Sequence, residues 1–194
     1  MGRVLPIALK TWEVKAALSN KKTSKRMVVK FPVNKFTDRI PEAKDVMPYK
    51  NIVFSDEVYF KEEPHYCFMV KPPYQPGDIL YVKETWCRGS LDYKKEQYYY
   101  KADNNEFTCF WHPSVHMPKE AARIWLKVTG MGVGRLQDID GNEILKEGLE
   151  AGCYFGDIWD STVKKSDLAK YGWEANPWVW VIEFERREKP ESEV

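Results

Sequence analysis

The sequence predicts an α+β fold of mainly β character: a small closed or nearly closed barrel with flanking helices. Three observations carry this. Strand-like runs outnumber helical ones, long excursions separate the strands, and the helical patterns fall toward the two ends of the chain. With 194 residues, 43% hydrophobic and 14% aromatic, the chain can bury the core of a single domain spanning 1–194. Eight tryptophans and eleven tyrosines set it apart from disordered chains, which lack the aromatic surface to stabilise a core.

The first element is a short helix over Thr11 to Leu18, with Thr11 as N-cap, apolar positions at Val14, Ala17 and Leu18, and Asn20 as the stop. Arg26 to Phe31 reads as a strand ended by Pro32. Residues 32–75 read as irregular, rich in Pro, Asp and Glu, with an excursion at about 32–70 holding apolar patches at 58–60 and 66–70. The turn signal Pro76-Gly77-Asp78 launches a near-alternating strand from Ile79 to Trp86. Tyr98 to Ala102 and Phe107 to Trp111 are further strand candidates, and two prolines fix a loop at 113–119.

Ala121 to Val133 reads as a long strand, with Gly130 and Gly132 marking a bulge or bend. Leu136 to Leu149 reads as a capped helix, with Asp138 or Asp140 at its start and Gly148 near its end. Helical spacing recurs between Phe155 and Lys170. The last strand is the clearest: Trp178, Trp180, Ile182 and Phe184 share one face, and Glu183 and Glu185 the other.

Charge is unevenly placed. Residues 1–50 carry 12 Lys and Arg against 4 Asp and Glu, whereas residues 131–194 carry 8 against 14. The pattern favours an anionic partner at one face over a nucleic-acid-coating surface. Its focus is Asn20-Lys21-Lys22-Thr23-Ser24-Lys25-Arg26, which is either a solvated turn or the rim of a pocket for an anion. The opening residues hold too short an apolar run for a signal peptide, and no segment approaches a membrane span. A cytoplasmic protein with four reduced cysteines is therefore the expectation.

Several stretches in order resemble ASCH-domain proteins, especially the long forms of phages and prophages. They are Lys22-Thr23 with Arg26, Pro76 to Trp86, Pro113 to Pro118, Arg135 to Ile139, Glu147-Gly148, and Trp173 to Phe184. The resemblance covers most of the chain except 32–70. It implies a PUA-like β-barrel with a cleft between barrel and helices, RNA binding, and a bacterial or phage-infected host cell. Some small members resemble amidohydrolases acting on acetylated cytidine. Their pocket pattern is a lysine, a threonine three residues on, an arginine two beyond that, and a glutamate before glycine. Lys22 and Glu147 match it here, the arginine position falls near Arg26, and Lys25 occupies the threonine position.

Two readings follow, with a third beside them. As a binding module, the protein would hold RNA, a nucleotide or a modified nucleoside. Lys22, Lys25 and Arg26 would contact phosphate, Trp86 or Trp111 would stack on a base, Glu84 or Glu147 would accept from a base amino group, and His116 would line the wall. As an amidohydrolase, it would use Lys22 as base, Ser24 or Thr23 as nucleophile, and Glu147. Ser24 shares the face of Lys22 in an extended stretch and so can stand in for the threonine. In the third reading a vestigial pocket leaves a phage module for a protein partner. No cofactor is implied. Cys109, His112 and His116, joined by His65 and Cys67, have spacing that suits zinc, but no paired Cys-x2-Cys knuckle supports it.

Overall fold

The computed structural model describes residues 2–31, 46–54, 57–62, 66–89, 97–103 and 109–190, with the backbone alone between 46 and 69. Its centre is a five-stranded sheet in the order β1-β6-β9-β10-β2. The strands are β1 (Val4–Ala8), β2 (Ser24–Val28), β6 (Ile79–Lys83), β9 (Trp125–Arg135) and β10 (Trp178–Arg187). β1 runs parallel to β6, and the other pairings are antiparallel. Among the described residues β1 and β2 are the two edges of this sheet, and no closed barrel is seen. The architecture is α+β with mostly strands.

β10 organises the core because its alternation serves both faces. Trp178, Trp180, Ile182 and Phe184 pack with Ile7, Leu80, Ile124 and Leu126. On the other face Val179 packs with Leu136, Phe155 and Trp159. The bulge expected near Gly130 is present. Glu183 pairs with Gly130 and Phe184 with Val128, which leaves Thr129 as the extra residue.

Several sequence expectations need correction. β1 was not anticipated; it is a five-residue edge strand, which is where Pro6 can sit without costing a ladder bond. β2 starts two residues before Arg26 and ends at Val28, although the Val29 N–H still donates to the Trp178 carbonyl at 2.8 Å. The excursion is not irregular throughout. β3 (Val46–Phe54), β4 (Glu57–Glu62) and β5 (Tyr66–Val70) form an antiparallel sheet in which the two apolar patches pair, Phe60 opposite Phe68. Residues 32–45 lie outside the described residues.

The strand expected over Ile79 to Trp86 breaks at Glu84. Trp86 instead opens β7 (Trp86–Gly89), paired with β8 (Gln97–Tyr100). Phe107 and Thr108 lie outside the described residues, and 109–111 are not a strand. Cys87 and Cys109 are joined by a disulfide, so the expectation of four reduced thiols fails; Cys153 is free. The helices are α1 (Thr11–Leu18), α2 (Gly141–Lys146), α3 (Phe155–Asp160) and α4 (Leu168–Tyr171). Among the described residues no helix is long and apolar enough to cross a membrane.

Candidate functional site

The site is built from α1, the start of β2 and the end of α2. Lys10, not Thr11, caps α1. Its backbone N–H donates to the Glu13 carboxylate at 2.8 Å, which ties Glu13 to the first turn. After Leu18 the chain reverses at Asn20, which takes a left-handed φ of 58°. The Lys21 and Lys22 N–H groups then both donate to the Ala16 carbonyl, turning Lys22 inward.

α2 is capped by Asp140, which accepts from the Glu143 N–H at 2.8 Å while the Glu143 carboxylate accepts from the Asp140 N–H at 3.2 Å. Glu147 ends the helix, and Gly148 follows at φ +85°. A Cβ at Gly148 would lie 2.5 Å from the Ala16 Cβ and 3.0 Å from the Lys22 Cβ. Glycine is therefore what lets the end of α2 touch α1 and deliver Glu147 to Lys22.

The result is a chain of alternating charges. Lys25 Nζ donates to both Glu13 oxygens at 2.7 and 2.9 Å. Lys22 Nζ lies 3.2 Å from Glu13 Oε1 and 2.8 Å from Glu147 Oε2. Arg26 donates to Glu147 Oε1 at 3.1 Å and to Glu143 Oε2 at 2.8 Å. Glu13, Lys22, Arg26 and Glu147 are all buried. Burial pushes the Glu13 carboxyl up, but Lys25 and Lys22 outweigh it and hold the group below its ordinary value. Burial pushes the Lys25 amine down, and Glu13 only partly restores it while Lys22 adds to the lowering.

In front of this network lies a cleft of ≈ 760 Å³ between α1, β2 and the α3–α4 segment. Glu13, Lys25, Arg26 and Glu147 form its inner wall, and Trp12, Trp159 and Tyr171 supply aromatic surface. Lys10, Lys30 and Lys164 also line it; all three are exposed, and none has a carboxylate partner among the described residues.

The alternation expected of the basic stretch holds: Lys22, Ser24 and Arg26 are buried, Thr23 is exposed and Lys25 is half-buried. The catalytic grouping does not assemble. Ser24 is 2% exposed, its hydroxyl has no hydrogen-bond partner among the described residues, and neither Ser24 nor Lys22 lines the cleft. Lys22 directs its ammonium at three oxygens, which leaves no free direction toward a hydroxyl.

The remaining expected residues lie elsewhere. The Glu84 carboxylate accepts from Arg123 Nε at 2.9 Å and Nη2 at 3.0 Å, and burial raises its pKa. Trp86 packs against Tyr98 and His112, with ring centroids 5.6 and 5.1 Å away. His116 is exposed; its turn contributes Ser114, not the histidine, to the cleft. With Cys109 in a disulfide, the zinc grouping is broken, and no cluster of three metal-ligating side chains occurs among the described residues. His65 lies outside them.

Sequence reasoning missed Glu13, Trp12, Lys10, Lys30, Lys164 and Tyr171. Only Glu13 carried a signal, as an acid three residues after Lys10 in a first helical turn. Comparison of the chain with protein-family models, with curated proteins and with solved structures gives no match.

Proposed function

We propose that the protein is a PUA-like, ASCH-type module that binds RNA or a nucleotide in the cleft between α1, β2 and the α3–α4 segment. One observation carries this: three cations without carboxylate partners among the described residues, Lys10, Lys30 and Lys164, stand around a cavity walled by Trp12 and Tyr171. Phosphate is attracted to such a rim, and a base stacks on such walls. The roles differ from those the sequence suggested. Lys22 and Arg26 hold the wall together through Glu147, and Lys25 meets the ligand in the cleft. Titration of tryptophan fluorescence with short single-stranded RNA tests the reading. Lys10→Ala and Lys164→Ala should each weaken binding and reduce the salt slope by about 1. Affinity and salt slope that stay at wild-type values in the double variant would sink it.

Hydrolysis of an acetylated cytidine-type nucleoside is the second reading, favoured by the assembly of Lys22, Arg26 and Glu147 behind the cleft. It needs an attacking group other than Ser24, such as a water held near Lys25. No turnover of acetylated cytidine, with a control enzyme active, would remove it. The third reading, a module for a protein partner with a vestigial pocket, fits an open 760 Å³ cleft poorly.

A further inference from the structure

We infer that the cleft continues past Arg26 into a second subsite, floored by the glycines of β9, that takes the next base of a single-stranded nucleic acid. This rests on the RNA- or nucleotide-binding reading and makes the ligand a strand instead of a mononucleotide.

Gly130, Gly132 and Gly134 alternate along β9 and share one face of the sheet, while Met131 and Val133 between them pack toward the core. Across that face Gly132 pairs with Val181, and Val181 with Arg26. Glycine weakens a strand, and neither Gly132 nor Gly134 repays that cost inside the chain. Their φ angles are not positive. Among the described residues a Cβ at Gly134 would meet nothing within 4 Å, and one at Gly132 would come no closer than 3.9 Å to an atom outside its chain neighbours. What the missing side chains leave is a groove of ≈ 430 Å³ with bare peptide planes as its floor. A strand glycine marks a bulge, a bend or the close approach of another group, and Gly132 and Gly134 lie beyond the bulge at Thr129.

Arg26 supplies an independent observation. It lines both the groove and the cleft and is 6% exposed. Its Nη atoms are taken by Glu147 and Glu143, but its buried Nε–H has no acceptor among the described residues. A buried donor left open costs stability, and a phosphate or base oxygen at this junction would satisfy it.

The groove chemistry selects the base over the phosphate. Asp138, Glu143 and Glu183 line it with Arg26 and Arg135; Glu143 is taken by Arg26 and Glu183 by Lys146, which leaves the Asp138 carboxylate open to a ligand among the described residues. The Arg135 guanidinium lies 4.5 Å over the Trp178 ring and donates to the Asn176 carbonyl. Carboxylates repel phosphate and accept from exocyclic amino groups. Phosphate therefore stays on the lysine side of Arg26, and an amino-bearing base (cytosine, adenine or guanine) lies flat on the glycine floor.

The test uses Gly132→Val and Gly134→Val. Both positions have room, and valine suits a strand, so the variants should melt at or above the wild-type temperature. Wild-type protein should bind a cytidine tetranucleotide at least tenfold more tightly than cytidine monophosphate, with a smaller gain for the uridine tetranucleotide. Either valine should remove the gain and leave monophosphate binding unchanged. Wild-type affinity for the tetranucleotide in both variants overturns the inference, as does equal binding of monomer and tetramer by the wild type. Failure of the wild type to bind either ligand overturns the cleft reading along with it.

Discussion

Lys22 and Glu147 meet twice: the ammonium donates to the Glu147 carboxylate at 2.8 Å and to the Glu147 backbone carbonyl at 2.9 Å. The second bond satisfies a carbonyl at the end of α2, so the lysine serves as a helix C-cap as well as an ion-pair partner. Removing the carboxylate charge would leave Lys22 and Arg26 buried with too little negative charge. Glu147→Gln should therefore cost about 3 kcal/mol in denaturant unfolding. A loss within error of zero would mean that water reaches the network.

Gly148 is held by backbone and by space together. Gly148→Ala places a methyl group 2.5 Å from the Ala16 Cβ at a positive φ. We expect a loss of about 2 kcal/mol, with α2 drawn away from Lys22. A melting temperature equal to wild type would show that the two helices can separate freely at this point.

Glu13 links stability to acid. Its carboxyl titrates below the ordinary 4.5 in the folded protein. Its contribution is therefore complete above that value and fades as the pH falls through the lower, folded one. Stability of the wild type should drop across that acidic window more steeply than that of Glu13→Gln. Parallel pH profiles for the two proteins would contradict this.

The disulfide closes a loop of 22 residues between Cys87 and Cys109. Chain-entropy arguments put its contribution at about 3 kcal/mol. Unfolding with and without a reducing agent, using Cys87→Ser/Cys109→Ser as the reference, should recover a loss of that order. Identical unfolding midpoints would show that the pair is not linked in solution.

How far the sequence could be read follows from where period and pairing agree. β10 was legible because its four large apolar residues alternate over a full strand. Asp140 and Gly148 were legible because capping and reversal demand those residue types. β1 was not, since a five-residue edge strand containing proline carries no pattern of its own. β4 and β5 were visible only as apolar patches, because their pairing with each other is a tertiary fact. In the site, alternation correctly set Lys22 and Ser24 on one face and Thr23 and Lys25 on the other. What it could not foresee was Glu13, whose carboxylate reaches the cluster from α1 and takes up the charge of two lysines. Ser24 shares the buried face without sharing a bond, since alternation sets a direction and not a distance.

The order of strands in the main sheet sets a condition on how the chain is made. Among the described residues β2 pairs only with β10, and β1 only with β6, so both edges come from the first 28 residues while the centre is completed near residue 187. As the chain leaves the ribosome, β2 and its basic stretch wait for almost the whole polypeptide before their neighbour emerges. Lys22, Lys25 and Arg26 remain hydrated during that delay, and their charge holds an otherwise exposed strand apart from its copies on neighbouring nascent chains. The cations that end up beside Glu13 and Glu147 thus serve first to keep in solution a strand with no partner yet.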